Sequence, residues 1–454
     1  TASAGTSNVR VGVNAGNSIQ SGGNYNTVVG DEAGTAITTG DNNVAVGYQA
    51  GDAITTGSLN TFFGAAAGSA SATVDNNTAI GAFAFDAGTG ADNTAVGSGA
   101  LGGGSNSGAS NVAVGKDAGN AVTTGTNNTL IGSLAGTAIT TGGSNVAIGY
   151  QALDLEDTGS NSVAIGRGAL SAQNYDGEAN NVAIGYGAGN VVTTGVSNTL
   201  IGSQAGDAMT TALGNVALGT DSQGANTASD KNVSLGNNTL ATLNHTDGTD
   251  AYNTAVGHQA GLQVTTGVEN TLIGALAGDA LTDADHNVAI GSYTLTSDTL
   301  GSRSVAIGHG ALVTQNFTTA TNSYNIAIGY IAGTAITTGT SNTIVGGLAG
   351  DHITTGFDNV AIGVQAMGTN THGSKNIAIG TQALLTMNPS TASENYNIAI
   401  GYRSQRYTTT GDQNITMGAS TGTAFTTANK NVAIGFEALS TGTTYDGNTA
   451  IGYQ

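Results

Sequence analysis

Asn145-Val146-Ala147-Ile148-Gly149 is followed, 17 residues on, by Ser162-Val163-Ala164-Ile165-Gly166. The same unit (Asn, a β-branched residue, usually Ala, an apolar residue, Gly) runs from the one closing at Gly12 to the one closing at Gly452, 26 times without a gap. Self-similarity at a fixed period is the mark of a repeat architecture. A longer period lies above the short one. Gly185, Gly257, Gly329 and Gly401 are each 72 residues apart, so four units form a cassette, and the extra residues always enter at one connection. The gapless series predicts one continuous repeat domain over 1–454, with no linker.

Inside the unit the pattern has period 2, as in a strand. All 26 second positions are β-branched and all 26 fourth positions are apolar. These two point the same way and are expected to face the interior. Gly at the fifth position marks a sharp turn or a close backbone approach. Asn opens 24 of the 26 units, Ser162 and Ser304 being the exceptions. Asn suits either a left-handed turn or an amide ladder between rungs, and both readings stand. One strand per 17 residues, with no helical periodicity, predicts an all-β chain folded as a parallel β-solenoid of about 26 rungs.

The third position then faces outward. It is Ala in 17 units, and most exceptions are bulky and apolar. An apolar stripe of that length exceeds what a soluble monomer exposes. Ala45, Phe62, Leu130, Ala147, Leu200, Ala255, Leu272, Ile344 and Ala433 are therefore expected at an interface with other copies of the chain.

Composition narrows the function classes. With 9 basic against 29 acidic residues the net charge is −20, which argues against nucleic acid and anionic membrane surfaces as partners. Gly is abundant (73 residues) but there is one Pro, which excludes collagen, and the absence of Cys excludes disulfides and thiolate metal sites. No apolar run approaches the roughly 18 residues of a membrane span, so no membrane insertion is expected of this segment.

The units resemble a known family. Ser162-Val163-Ala164-Ile165-Gly166 followed by Arg167-Gly168-Ala169-Leu170 is similar to the YadA-type head repeat of trimeric autotransporter adhesins. Asn145 to Gly149 followed by Tyr150-Gln151-Ala152-Leu153 also resembles repeat arrays of phage tail-fibre proteins. The resemblance covers essentially the whole chain. It implies a left-handed parallel β-roll, a homotrimer, an extracellular location on a virion fibre or bacterial surface, and a role in attachment to a cell-surface glycan or protein receptor. The spacing of 17 to 21 residues is longer than is common in those heads. No coiled-coil stalk, anchor barrel or chaperone domain is recognisable, and both ends stop within the repeat, which reads as a processed or partial chain.

Chemistry-bearing motifs are sparse. Gly97-Ser98-Gly99-Ala100-Leu101-Gly102 has the dinucleotide spacing but no helix pattern follows it. Asp283, Asp285 and His286 lack the recurring calcium signature and read as solvated surface. Thr pairs such as Thr38-Thr39 and Thr140-Thr141 read as polar turns rather than an ice-binding face, since neighbouring side chains point opposite ways. Asn316-Phe317-Thr318 is a glycosylation sequon where the source has that machinery. No cofactor, metal or catalytic activity is expected. The alternatives are a fibre-borne polysaccharide-degrading enzyme, which would need a column of paired carboxylates, and an ice- or mineral-binding solenoid. If the segment recognises a surface, the candidates are its long connections, Asn174 to Asn180, Asn244 to Tyr252, Asn316 to Tyr324 and Asn388 to Tyr396. They carry Tyr175, His245, Tyr252, Phe317, Tyr324 and Tyr396, and aromatic faces suit sugar rings.

Overall fold

The computed structural model describes residues 5–454. The chain divides into two compact units, one ending at Ala228 and the other spanning Ser229–Gln454. Each is a parallel β-solenoid with 13 copies of a three-residue strand, one per repeat. The strand occupies the second to fourth positions, as in Val44–Val46, and pairs in parallel with its neighbours so that equivalent residues stack: Val44 on Thr61, Ala45 on Phe62, Val46 on Phe63. Turns and bends make up almost all the rest of each rung, and the described residues include no helix.

The interior is the reverse of the expected one. Ala45, Phe62, Leu130, Ala147, Leu200, Ala255, Leu272, Ile344 and Ala433 have zero exposure within a single chain, so the third position builds the core and cannot be an interface between copies. The second and fourth positions face out: Val112 and Ile131 are 36% and 37% exposed, and Phe63 is 56% exposed. The physical reason lies at the ends of the unit. First, third and fifth positions share one side of a pleated strand, and both ends demand the inside.

The opening Asn is buried, and its amide joins three segments. Asn43 donates from its backbone N–H to Asn26 Oδ1 (2.9 Å), from Nδ2 to the same oxygen (3.1 Å), and from Nδ2 to the carbonyl of Gly57 (2.8 Å). The amide thus ties its rung to the one before and fixes the turn that leads to the one after. This is the ladder alternative. The closing Gly stacks on its successor: a Cβ on Gly149, at φ +136°, would lie 2.5 Å from the carbonyl oxygen of Gly166.

The core is narrow, and its volumes are matched between rungs. The ninth position is a left-handed corner whether it carries Gly51 (φ +55°) or Leu153 (φ +54°). A Cβ on Gly51 would meet the Phe62 ring at 2.9 Å, and one on Gly68 would meet the same ring at 2.5 Å. Phe62 therefore fills the space that two successive ninth-position glycines leave. The same pairing surrounds Val28, Leu130, Leu200, Leu272 and Ile344. Where the third positions of a rung and of the next are both Ala, a ninth-position Leu such as Leu153 (between Ala147 and Ala164) or Leu170 (between Ala164 and Ala183) turns inward and fills the gap instead.

Candidate functional site

The long connections are anchored from inside the solenoid. Glu156 and Asp298, at the twelfth position of equivalent rungs, are both fully buried. Glu156 Oε1 accepts the N–H of Gly159 (2.6 Å), while Oε2 accepts Gln173 Nε2 (2.8 Å) and the N–H of Tyr175 (3.4 Å). Asp298 accepts the N–H groups of Gly301 and Phe317 (both 3.0 Å) and Gln315 Nε2 (2.6 Å). Gln173 and Gln315 also donate to Ser162 Oγ and Ser304 Oγ. The two serines that interrupt the Asn ladder thus stand where a buried Gln needs room and an acceptor.

Of the six aromatic residues proposed for recognition, Phe317 is corrected. It is only 6% exposed, because Asp298 draws its backbone inward at the start of the loop. Tyr175 and His245 are half-buried. Tyr252, Tyr324 and Tyr396 stand about half exposed. Two of these are engaged within the chain: Lys231 Nζ pairs with Asp250 at 2.6 Å and lies 5.3 Å from the Tyr252 ring, and Tyr252 Oη donates to Asp250. Lys375, Glu394 and Tyr396 repeat the arrangement two cassettes later. The hydrogen bond to Asp250 raises the Lys231 pKa and lowers that of Asp250. These clusters fasten the loop end to the preceding rung.

Asp283, Asp285 and His286 are engaged separately with the previous rung, through Thr266, the N–H of Val268, and Glu269. No group of three or more His, Asp or Glu is placed to hold a metal among the described residues. The first Thr of each pair zips rungs together, as Thr38 Oγ1 donating to the Thr55 carbonyl (3.0 Å).

Burial raises the carboxyl pKa of Asp52, Asp86 and Asp279 at the tenth position, local backbone N–H groups offsetting part of the effect. One oxygen of each is shut off from water without a partner. The folded chain therefore holds these protons more tightly than the unfolded chain, whose value is near 3.8. Their contribution to stability is complete below that value and is lost as pH rises through the folded value. Thermal unfolding is expected at a higher temperature at pH 4.5 than at pH 7, and triple Asn replacement at these sites should flatten that slope.

A second aromatic set lies at the sixth position, directly after the closing Gly, and the sequence reading passed over it. Tyr48, Tyr150, Tyr186, Tyr330, Tyr402 and Phe436 are all exposed there. The recurrence of an aromatic one residue beyond the unit was its available trace. In the first unit the Arg167 guanidinium lies between two of these rings, 6.0 Å from Tyr150 and 5.7 Å from Tyr186. Beside it the seventh position reads Gln151, Gly168, Gly187, Gln204 over four successive rungs. The two missing side chains open a hollow of about 350 Å³ lined also by Asp154 and Asn190.

No protein-family model matches the chain, and a search of curated proteins finds no match.

Proposed function

We propose that this chain is a shaft and adhesive segment of a homotrimeric extracellular fibre, carried by a phage or a bacterial surface, with each rung wound as a left-handed β-roll. The observation that supports this is the outward strand face. Its second and fourth positions carry only Val, Ile, Thr, Leu, Phe and Met, rung after rung. In the first unit Val112, Ile131, Ile184 and Val216 stand open to solvent, and in the second Val233, Leu235, Ile328 and Ile362 do. A flat, uncharged and repetitive face of this kind fits a second copy of itself, in the same register, better than any irregular partner. The role is binding and spacing rather than catalysis.

The chain is expected to scatter light as three times 44.2 kDa. Ile131→Asp, on the outward face, should return a single-chain mass with unchanged circular dichroism, because exposed substitutions alter a monomer's stability by only about 0.5 kcal/mol. A native chain of single-chain mass would overturn the trimer.

A further inference from the structure

We propose that the hollow beside Arg167 binds a carboxylated sugar unit, with the carboxylate on the Arg167 guanidinium; the proposal rests on the attachment reading and names its ligand. The hollow exists because the repeat is broken there. At the seventh position most rungs place a side chain in a left-handed corner, as Gln151 (φ +54°) and Gln204 (φ +57°) do. Gly168 and Gly187 keep that backbone, at φ +67° and +62°, without the side chain. A Cβ on Gly168 would meet nothing within 4 Å, and one on Gly187 only Gln204 Cγ at 3.9 Å. Neither glycine is required by backbone packing, unlike the closing glycines, which are stacked carbonyl on Cα.

The walls specify the ligand. Arg167, like the other arginines, forms no ion pair with a carboxylate among the described residues. The two flanking tyrosine rings hold it instead, which leaves its planar fork of N–H donors free for a carboxylate. Tyr186, 55% exposed, supplies the apolar wall on which the carbon face of a pyranose packs. The rest of the rim is a mixture of donors and acceptors, as a polyhydroxylated ligand requires. Gln151 Nε2 donates to Asp154 Oδ2 at 3.2 Å, so Gln151 Oε1 faces no donor of its own pair. Asn190 adds a side-chain amide to the lining. Asp154 in the lining repels a phosphate dianion about twice as strongly as a monoanionic sugar, and can accept hydroxyl donors that phosphate lacks. At about 350 Å³ the space is at the small end of ligand pockets, about 300–1,000 Å³, and fits a terminal sugar rather than a long chain.

The test uses the full chain, with N-acetylneuraminic acid and glucuronic acid as probes and glucose and inorganic phosphate as controls, read by saturation-transfer NMR and titration calorimetry. Binding of at least one acidic sugar is expected, about tenfold tighter than glucose, with Arg167→Gln abolishing that preference. Gly168→Gln with Gly187→Gln, which restores the side chain that neighbouring rungs carry, should abolish binding while mass and thermal unfolding stay unchanged. No binding of either acid, equal binding of phosphate, or undiminished binding by the filled variant would overturn the site. Light scattering on the same samples separates the two ideas: a trimer that binds no acidic sugar removes this site alone, and a single-chain mass removes the fibre reading.

Discussion

Replacing Gly149 by alanine is expected to destabilise the first unit by about 4 kcal/mol, among the largest effects a single methyl group can have. Two costs combine. At φ +136° the backbone is outside the conformations an L side chain readily adopts, a strain of about 1–3 kcal/mol. The new Cβ would also sit 2.5 Å from the carbonyl oxygen of Gly166 and 3.1 Å from the N–H nitrogen of Arg167. Those atoms are backbone and cannot swing away, so the rungs must part and weaken the ladder between strands Val146–Ile148 and Val163–Ile165. Gly347→Ala is the control, since nothing lies within 4 Å of its Cβ. Nearest-neighbour coupling in a solenoid keeps the damage local, so hydrogen exchange should accelerate in the rungs of Gly149 and Gly166 before distant ones. Equal denaturation midpoints for the two variants would show that the stacked glycines are not under this constraint.

That glycine also shows how far the sequence could be read. Period, cassette, strand position and solenoid class all follow from residues repeated 26 times, because each rung repeats the same packing problem. The inside and outside of the strand were also encoded, but in the invariant ends rather than in hydrophobicity. Asn145 and Gly149 share a side with Ala147, and a buried amide ladder together with a stacked glycine leaves that side no way to face water. Hydrophobicity pointed the other way, since Val146 and Ile148 are larger than Ala147. The bulky third positions, Phe62 and Leu130, looked like exposed anomalies because the glycines that make room for them are at the ninth position of their own and the previous rung. Phe317 was placed outside on the strength of its loop. The carboxylate that pulls it in, Asp298, is 19 residues away in sequence and one rung away in space.

The two serines in the Asn ladder were visible in the sequence, and their meaning yields the second large effect. Ser162 accompanies Glu156 and Gln173, and Ser304 accompanies Asp298 and Gln315. The alternate cassettes solve the same corner with Asn226, Asn232 and Leu243, and with Asn370, Asn376 and Met387. In the last of these Asn370 accepts the Gly373 N–H through its own amide, and the buried carboxylate is dispensed with. Glu156→Leu alone should cost about 3–5 kcal/mol, because the N–H of Gly159 is left in the core with no acceptor and Gln173 Nε2 keeps only Ser162 Oγ. Ser162→Asn alone should cost about 2 kcal/mol, since the longer side chain meets Gln173 in a space sized for a hydroxyl. The triple change Glu156→Asn, Ser162→Asn, Gln173→Met installs the set of the later cassette and is expected within about 1 kcal/mol of the native chain, a coupling that only groups in one network show. Urea midpoints for the single and triple variants measure it. Additive losses in the triple variant would mean that the serines and the buried carboxylates are independent. Recovery would mean that the chain carries two interchangeable ways of closing the same turn, a charged one that holds the following long loop by its N–H and a neutral one that does not. Pro389 fits the second: it stands at the loop position of Tyr175 and Phe317, and having no N–H it asks for no carboxylate beneath it.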